Sequence, residues 1–330
     1  MEKGISKGMK KKIFWGSIVF IVLLSSLLGF TTLFKSEGSL DLKKFRIGYI
    51  NRDTLTALKD QQLLENQLKK EGISVEWIEF QDEVRLYQAL EQGNLDFGKV
   101  GDAVPAFLHK GKNSPIYFAA EPPNPNARAI AVSKGSKIKG VKDLIGKKVA
   151  YTKFSNEHYF LLQLLVKNGL GTDAIEDFES IEATSSEGME LLQKGEVDAA
   201  VVSEPYVSQL KSSQYPLIFD GELPANADIY LTTKENVKER KETLNTVLQV
   251  IYEYDDFLTN DIHLAAEFLY QSTNILHAVW MAVFENEAYG ISPFFEGMIA
   301  EQQKKVDFLY EQKVIEHHYN VADYVVKLDE

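Results

Sequence analysis

The sequence of 330 residues predicts an α/β fold with two lobes, preceded by a single transmembrane helix. Three observations support this prediction. Apolar segments of strand type alternate along the chain with segments of helix type. The alternation begins again near residue 129, and the chain is longer than a typical single domain. An uncharged apolar run over residues 13–34 is long enough to cross a bilayer.

The N-terminal run has the features of a membrane anchor. Five lysines and one glutamate precede it in residues 1–12, the predicted cytoplasmic tail. A helix rises about 1.5 Å per residue, so roughly twenty residues cross a bilayer core of ~30 Å. Because lysine-rich flanks stay in the cytoplasm, the chain after residue 34 is predicted to lie on the extracytoplasmic side of the cell membrane, attached by a single pass.

Cleavage of this segment as a signal peptide is the alternative, because the charged start also fits a signal peptide. The run is long for a signal peptide, however, and residues 29–34 (GFTTLF) offer no small-x-small cleavage site. The chain contains no cysteine, so it can neither form a disulfide nor carry the N-terminal lipid of a bacterial lipoprotein. We therefore expect the peptide segment itself to hold the protein at the membrane.

The first lobe begins after a polar linker over residues 35–44. Strand patterns are predicted at 45–50, 73–80 and 95–98. Helix patterns lie between them: leucines at helical spacing precede Gly72, and a second helix over 83–91 ends at Gly93. This alternation is typical of a parallel sheet covered by helices.

The pattern restarts in the second lobe. Strands are predicted at 129–133, 148–151 and 195–202. Helices are predicted at 156–168 and 184–194, and the latter opens with Thr184 and Glu187 in capping-box spacing. From residue 235 onward the pattern is mainly helical. The predicted division is residues 45–127 and 228–330 for lobe 1, and residues 128–227 for lobe 2.

Composition and motifs exclude several classes of function. The net charge of −12 argues against nucleic-acid binding, which requires basic groups to neutralise phosphates. No nucleophile, phosphate-binding or metalloprotease motif is present, and the carboxylates are too scattered to define an acid/base pair. His317 and His318 are adjacent, so their side chains diverge, and no third metal ligand is evident. The sequence predicts no enzyme activity, no cofactor and no metal site.

Polar turns follow the predicted strands at their C-terminal ends, where ligands bind in open α/β sheets. The candidate ligand-binding residues there are Asn51, Arg52, Gly101, Asp102, Glu121, Ser155, Asn156, His158, Glu204 and Tyr206. Ser155 and Asn156 precede an apolar-periodic helix, whose free N–H groups and dipole favour an anion. Serine and asparagine are also preferred at an ordinary helix N-cap. Both interpretations stay open at this point.

Six segments between residues 45 and 322 match one known family in type and order. They are 46–49 (RIGY), 95–105 (LDFGKVGDAVP), 121–130 (EPPNPNARAI), 155–159 (SNEHY), 195–206 (GEVDAAVVSEPY) and 289–307 (YGISPFFEGMIAEQQKKVD). In these segments the chain resembles the aliphatic-sulfonate-binding proteins of ABC importers, within the sulfonate/nitrate/taurine family of solute-binding proteins.

The resemblance implies the periplasmic-binding-protein type II fold, with two crossovers between the lobes. It also implies a small organic anion of the aliphatic sulfonate class as ligand, together with permease and ATPase partners and no catalysis. Hydroxyl and backbone N–H groups would hold the sulfonate head in the cleft. Ser155 and Asn156, with the N–H groups of the following helix, His158 and Arg52, are expected to contact that head.

The chain departs from the family at two turns. Phe154, Asn156 and Glu157 stand where the family has small residues, and Ser203-Glu204 replaces its Trp-Asp pair. Glu157 brings a negative charge close to the expected anion. Taurine, nitrate or a pyrimidine vitamin precursor are alternative ligands, and a tethered sensor or an enzyme on the same fold are alternative functions.

Overall fold

The computed structural model describes residues 41–219, 223, 226–286 and 290–326. The predicted tail, the apolar run over residues 13–34 and most of the linker lie outside these residues, as does Tyr289 of the resemblance. Within the described ranges, none of the helices has both the length and the apolar character needed to cross a membrane. The anchor over residues 13–34 therefore stays a prediction.

The described strands form two separate sheets. In chain order they are β1 (Lys44–Tyr49), β2 (Ser74–Glu79), β3 (Phe97–Gly101), β4 (Ile116–Ala120), β5 (Arg128–Val132), β6 (Lys148–Tyr151), β7 (Glu179–Glu182), β8 (Ala199–Ser203), β9 (Leu217–Ile218), β10 (Asp228–Thr232) and β11 (Ser292–Pro293). The first sheet has the order β11-β4-β10-β3-β1-β2, and the second has the order β7-β6-β8-β5-β9.

Helices cover both sheets. They are α1 (Thr54–Asp60), α2 (Leu63–Leu68), α3 (Glu83–Glu91), α4 (Ala103–Leu108), α5 (Asn156–Lys167), α6 (Ser185–Lys194), α7 (Tyr206–Ser212), α8 (Lys234–Glu239), α9 (Lys241–Asn260), α10 (Ile262–Thr273), α11 (His277–Asn286) and α12 (Glu296–Glu311). Short 3₁₀ turns lie at Lys69–Glu71, Val141–Leu144, Thr172–Asp177 and Val321–Tyr324. The predicted α/β class is confirmed.

The first sheet is held by an aromatic core. Phe97 in β3 stacks on Tyr230 of β10 with ring centroids 5.6 Å apart, and it meets Phe118 of β4 edge-on at 5.9 Å. Gly48 lets the neighbouring elements approach β1 closely, since a Cβ there would lie 2.6 Å from Leu95 Cδ1. These contacts hold the ends of β1, β3 and β4, which carry functional side chains.

The second sheet combines parallel and antiparallel pairs. β6 pairs with β7 and β8 in parallel, whereas β5 runs antiparallel to β8 and β9. Leu161 and Leu165 of α5 are fully buried against Val149 and Val201 of the sheet. Burying side chains of this size stabilises the fold by about 1.5–3 kcal/mol each. The helix α5 is thereby held with its N-terminus at one end of the sheet.

Two crossing segments connect the sheets and pair with each other. Asn124 and Asn226 form an antiparallel bridge, and Glu121 N donates to the carbonyl oxygen of Asp228 at 2.9 Å. The strands on either side of these crossings belong to different sheets. We therefore keep, as a proposal, the division into lobe 1 (45–127 and 228–330) and lobe 2 (128–227).

Two local predictions can be compared with the structure, and one of them is wrong. The helical spacing before Gly72 was predicted as one helix, but α1 ends at Asp60 and α2 begins at Leu63. Gln62 between them has a φ of 55°, a left-handed conformation that breaks the helix. The capping box at Thr184 and Glu187 is confirmed, because both of its hydrogen bonds are present at the start of α6.

Candidate functional site

A cavity of about 100 Å³ lies between the two sheets. Both sheets, their helices and the crossing segments line it. Its polar and charged lining residues are Arg52, Asp53, Thr54, Glu83, Lys99, Glu121, Asn124, Arg128, Ser203, Glu204, Asn226 and Asp228. Pockets for drug-sized ligands span about 300–1,000 Å³, so this cavity fits a smaller molecule.

Strand ends place these charged groups. Lys99 lies within β3, Glu121 follows β4 directly, and Ser203 ends β8. Arg128 begins β5 and Asp228 begins β10, and both strands run antiparallel to their neighbours. The first residue of an antiparallel strand lies beside the last residue of its neighbour, which is why side chains distant in sequence meet here.

Three of the ten residues proposed from the sequence line this cavity, namely Arg52, Glu121 and Glu204. The other seven are not among its lining residues: Asn51, Gly101, Asp102, Ser155, Asn156, His158 and Tyr206. A ligand-binding role for each of the ten stays a prediction.

Arg52 joins the two halves of the cavity. Its guanidinium forms an ion pair with Glu83, and Nη1 lies 3.4 Å from Ser203 Oγ of the second sheet. Glu83 also accepts a hydrogen bond from the backbone N–H of Gly101 at 2.9 Å. Burial raises the pKa of Glu83 to about 7, although the charge of Arg52 opposes that rise. The guanidinium of Arg52 therefore already has a close partner within the protein.

Lys99 has three carboxylates close to its ammonium group. Its Nζ lies 3.0 Å from Glu121 Oε1, 3.3 Å from Asp53 Oδ2 and 3.9 Å from Asp228 Oδ2. Burial disfavours its charge, but these carboxylates together hold the pKa of Lys99 well above its usual value. Burial raises the pKa of Glu121 to about 6, and the hydroxyl of Tyr230 donates to it at 2.7 Å.

Arg128 differs from the other two cations. Its side chain is only 10% exposed, and its recorded ion pair is a long one of 3.8 Å to Asp228 Oδ1. Its Nε is buried without a hydrogen-bond partner among the described residues. A buried guanidinium donor normally finds an acceptor. Arg128 also lines the cavity, so its guanidinium is the group most suited to receive an anion.

Ser155 occupies the N-cap of α5. Its Oγ accepts from the N–H of Glu157 at 3.1 Å and lies 2.7 Å from the carbonyl oxygen of Thr152. The structure shows that Ser155 is the N-cap of α5, and the anion interpretation stays a prediction. Its hydroxyl is engaged in local hydrogen bonds, and Ser155 as a whole is 2% exposed.

Asn156 packs between the two halves of the protein. Its Oδ1 accepts a hydrogen bond from the N–H of Ala103 at 2.8 Å. Gly101 provides the room, because a Cβ at that position would lie 2.4 Å from Asn156 Nδ2. Two predicted site residues therefore form one contact between the first sheet and α5.

Glu157 is a buried carboxylate close to the arginines of the cavity. Its Oε2 lies 2.6 Å from Ser155 Oγ, and its Oε1 lies 3.2 Å from Ser185 Oγ. Burial would raise its pKa, but the charges of Arg128 and Arg52 lower it below the usual value. The negative charge that the sequence placed near the expected anion thus acts as a counter-charge to both arginines.

The remaining predicted residues have other partners. His158 stacks on Phe107 with ring centroids 5.0 Å apart, and burial lowers its pKa to about 4, so its ring is neutral at pH 7. Asp102 pairs with Lys305 at 3.1 Å. Glu204 accepts hydrogen bonds from the backbone N–H and the hydroxyl of Ser208, both at 2.9 Å.

Tyr206 begins α7, and Asn51 lies in an exposed turn after β1. The site residues predicted from the sequence did not include Arg128, Lys99, Glu83 or Asp228. One signal was available for Arg128: it is a charged residue directly before the buried apolar strand segment 129–132. A charge at such a position requires a partner or a ligand.

Two α/β sheets joined by paired crossings, with a charged cavity between them, define the class of two-lobed binding folds. The family model described as NMT1/THI5 like matches residues 68–260, more than half of the sequence, and the chain belongs to this family.

Solved structures and a curated relative extend this result. The chain is similar to the periplasmic aliphatic sulphonate binding protein SsuA from Escherichia coli, with 26% identity, a TM-score of 0.73, and coverage of 87% of this chain and 93% of that one. The alkanesulfonate-binding protein SsuA from Xanthomonas axonopodis pv. citri, bound to MOPS, matches with 26% identity, a TM-score of 0.78 and coverage of 87% and 99%.

A relative from Escherichia coli (strain K12), named for binding aliphatic sulfonates, is 28% identical over 88% of this chain and 91% of its own length. The resemblance found in the sequence is therefore confirmed, as is the periplasmic-binding fold that it implied. These relatives are named as binding proteins, which agrees with the expectation that the chain is not an enzyme.

Proposed function

We propose that this chain is the extracytoplasmic solute-binding component of an ABC importer. Its ligand is a small organic anion of the aliphatic sulfonate class, bound in the cavity between the sheets and delivered to a membrane permease that works with an ATPase. The single observation that carries the proposal is that Arg128 lines a cavity of about 100 Å³ and that its buried Nε has no hydrogen-bond partner among the described residues.

The chemistry of Arg128 suits a sulfonate. A guanidinium presents several N–H donors in one plane and binds oxyanions with two parallel hydrogen bonds. Arg52 and Lys99 hold close carboxylates, whereas the recorded carboxylate contact of Arg128 is 3.8 Å long. The similarity to alkanesulfonate-binding proteins supports the same ligand class.

Attachment to the cell membrane is part of the proposal. The lysine-flanked apolar run over residues 13–34 would remain as a single-pass anchor, with the binding fold outside. Mass spectrometry of the protein recovered from membranes tests this, and we expect peptides from residues 1–34 to be present. A mature chain that starts after residue 34 and is recovered in soluble form would contradict the anchor.

Isothermal titration of the full-length protein, purified in mild detergent, with propane-1-sulfonate, nitrate and a pyrimidine tests the ligand class. We expect the sulfonate to bind. Arg128→Ala should weaken that binding about ten- to hundred-fold, because a charge-assisted hydrogen bond in a buried site contributes about 1.5–3 kcal/mol. Arg85→Ala is the matched control, since Arg85 is exposed and pairs with Asp82 outside the cavity.

Equal affinities for the Arg128→Ala variant and the unmodified protein would remove the proposed role of Arg128. Absence of binding by any small sulfonate would overturn the proposed function.

A further inference from the structure

An ion pair of Glu83 and Arg52 lies in the lining of the cavity. The Arg52 side chain is 20% exposed, and the Glu83 side chain is 10% exposed. Arg52 also reaches the hydroxyl of Ser203 in the second sheet. An anion that binds near Arg52 therefore meets a carboxylate that already neutralises this guanidinium.

Carboxylates outnumber cations in this cavity. Among the described residues that line it, the acidic side chains are Asp53, Glu83, Glu121, Glu204 and Asp228, and the basic ones are Arg52, Lys99 and Arg128. An anionic ligand adds a further negative charge to this excess. Like charges held close together in a poorly hydrated site repel one another strongly. Uptake of a proton by one of the carboxylates would remove much of that repulsion.

Glu83 is the carboxylate best placed to take up this proton. Burial raises its pKa to about 7, and the charges of Asp228 and Glu157 act in the same direction. Arg52 and the backbone N–H of Gly101 act in the opposite direction, because they stabilise the ionised form. An anion bound beside Arg52 would weaken that stabilisation. A neutral carboxyl still accepts through its carbonyl oxygen, so the hydrogen bond from Gly101 can survive protonation.

The other carboxylates of the cavity have different partners. Glu121 lies 3.0 Å from the ammonium group of Lys99. Glu204 accepts hydrogen bonds from Ser208 with both of its oxygens. Among the described carboxylates that line the cavity, Glu83 is the one in close contact with a guanidinium. Its protonation state therefore responds most directly to an anion that binds an arginine.

We propose that Glu83 takes up a proton when an anion binds in the cavity, so that the protein holds its ligand more tightly in mildly acidic than in alkaline surroundings. The inference rests on the proposed function and adds a regulation of the same site. Protonation of Glu83 removes the negative charge beside Arg52 and leaves the guanidinium charge to attract the ligand.

The direction of the pH dependence follows from this proton. Below about pH 7 the carboxyl of Glu83 is already protonated in the empty protein, so the affinity should be nearly constant there. Above about pH 7 each bound ligand brings in up to one proton. The affinity should therefore fall by up to about ten-fold for each further pH unit.

Isothermal titration of the full-length protein in mild detergent with propane-1-sulfonate, between about pH 6 and pH 9, tests the proposal. The sulfonate keeps its charge over this range, so a change in affinity comes from the protein. Amine buffers are used, because a similar protein is bound to MOPS, which is itself a sulfonate. We expect the dissociation constant to rise by about ten-fold or more over this range. The binding heats in Tris and in triethanolamine at about pH 8 should differ by an amount that corresponds to uptake of about half to one proton.

Glu83→Gln identifies the group that takes up the proton, because glutamine resembles the neutral carboxyl and cannot be protonated in this range. Its affinity should vary by less than about two-fold over the same pH range, and at about pH 9 it should bind the sulfonate about ten-fold or more tightly than the unmodified protein does. Glu76→Gln, at an exposed position of β2, is the matched control and should keep the pH dependence of the unmodified protein.

Equal affinity of the unmodified protein at both ends of the pH range would overturn the proton coupling and leave the proposed function intact. A pH dependence that persists unchanged in Glu83→Gln would overturn the role of Glu83. Failure of propane-1-sulfonate to bind at any pH would overturn both the proposed function and this inference. If Glu83→Gln does not fold, the proton uptake of the unmodified protein still decides, because the absence of uptake at about pH 8 overturns the proposal.

Discussion

Removing the titratable group of Glu83 should change how the stability of the protein depends on pH. Burial raises the pKa of this carboxyl from 4.5 to about 7 in the folded protein. The folded state therefore binds this proton more tightly than the unfolded state does. The resulting stabilisation is fully present below about pH 4.5 and is lost as the pH rises through 7.

The magnitude follows from the size of the shift. A change of one pKa unit corresponds to about 1.4 kcal/mol, so a shift from 4.5 to about 7 corresponds to about 3 kcal/mol in total. Between pH 5 and pH 8, about 2–3 kcal/mol of this should be lost from the unmodified protein. Glu83→Gln has no such titration, so the difference in unfolding free energy between the two proteins should change by that amount.

Urea unfolding followed by tryptophan fluorescence, repeated at intervals from pH 5 to pH 8, measures this difference. Glu83→Gln resembles the protonated carboxyl in shape and charge, so the variant should gain stability relative to the unmodified protein as the pH rises. The test is the slope of the difference and not its value. Glu76→Gln is the control, because Glu76 forms an exposed pair with Lys44. Parallel pH profiles for Glu83→Gln and the unmodified protein would refute the reasoning.

Three further outcomes are expected. Gly101→Ala should destabilise the protein by about 1–3 kcal/mol in thermal unfolding, because the new Cβ would lie 2.4 Å from Asn156 Nδ2, whereas Gly140→Ala has open space and should have a smaller effect. His158 should titrate near pH 4 by NMR, and a value near 6.5 would contradict its burial on Phe107. Small-angle scattering should show a smaller radius of gyration when a ligand binds, and an unchanged value with confirmed binding would count against closure of the lobes about the crossing segments.

Ser155 shows why one site prediction could not be decided from the sequence. Ser155 was proposed for an anion because it precedes α5, and that position also makes it the N-cap. Sequence alone could not separate the two roles, since both require the same residue type at the same position. The structure shows that the hydroxyl is the N-cap, and the anion role stays a prediction.

Glu157 shows a similar limit. From the sequence it is a negative charge near the expected anion, but Arg128 and Arg52 lower its pKa, and it acts as their counter-charge. These arginines lie far from Glu157 along the chain, and no local pattern relates them. Only the packing of α5 against both sheets brings the three groups together.

The sequence by itself determined the α/β class, the restart of the pattern near residue 129, the family and the start of α5. Each depends on local periodicity, on capping residues or on motifs that are contiguous along the chain. The tertiary structure alone decided which charges meet in the cavity. Arg52 and Lys99 have close carboxylate partners, whereas Arg128 Nε has no hydrogen-bond partner among the described residues. The physical reason is that the pairing of charges depends on distances across two sheets. These distances are set by β5 and β10, which run antiparallel to the neighbouring strands β8 and β3.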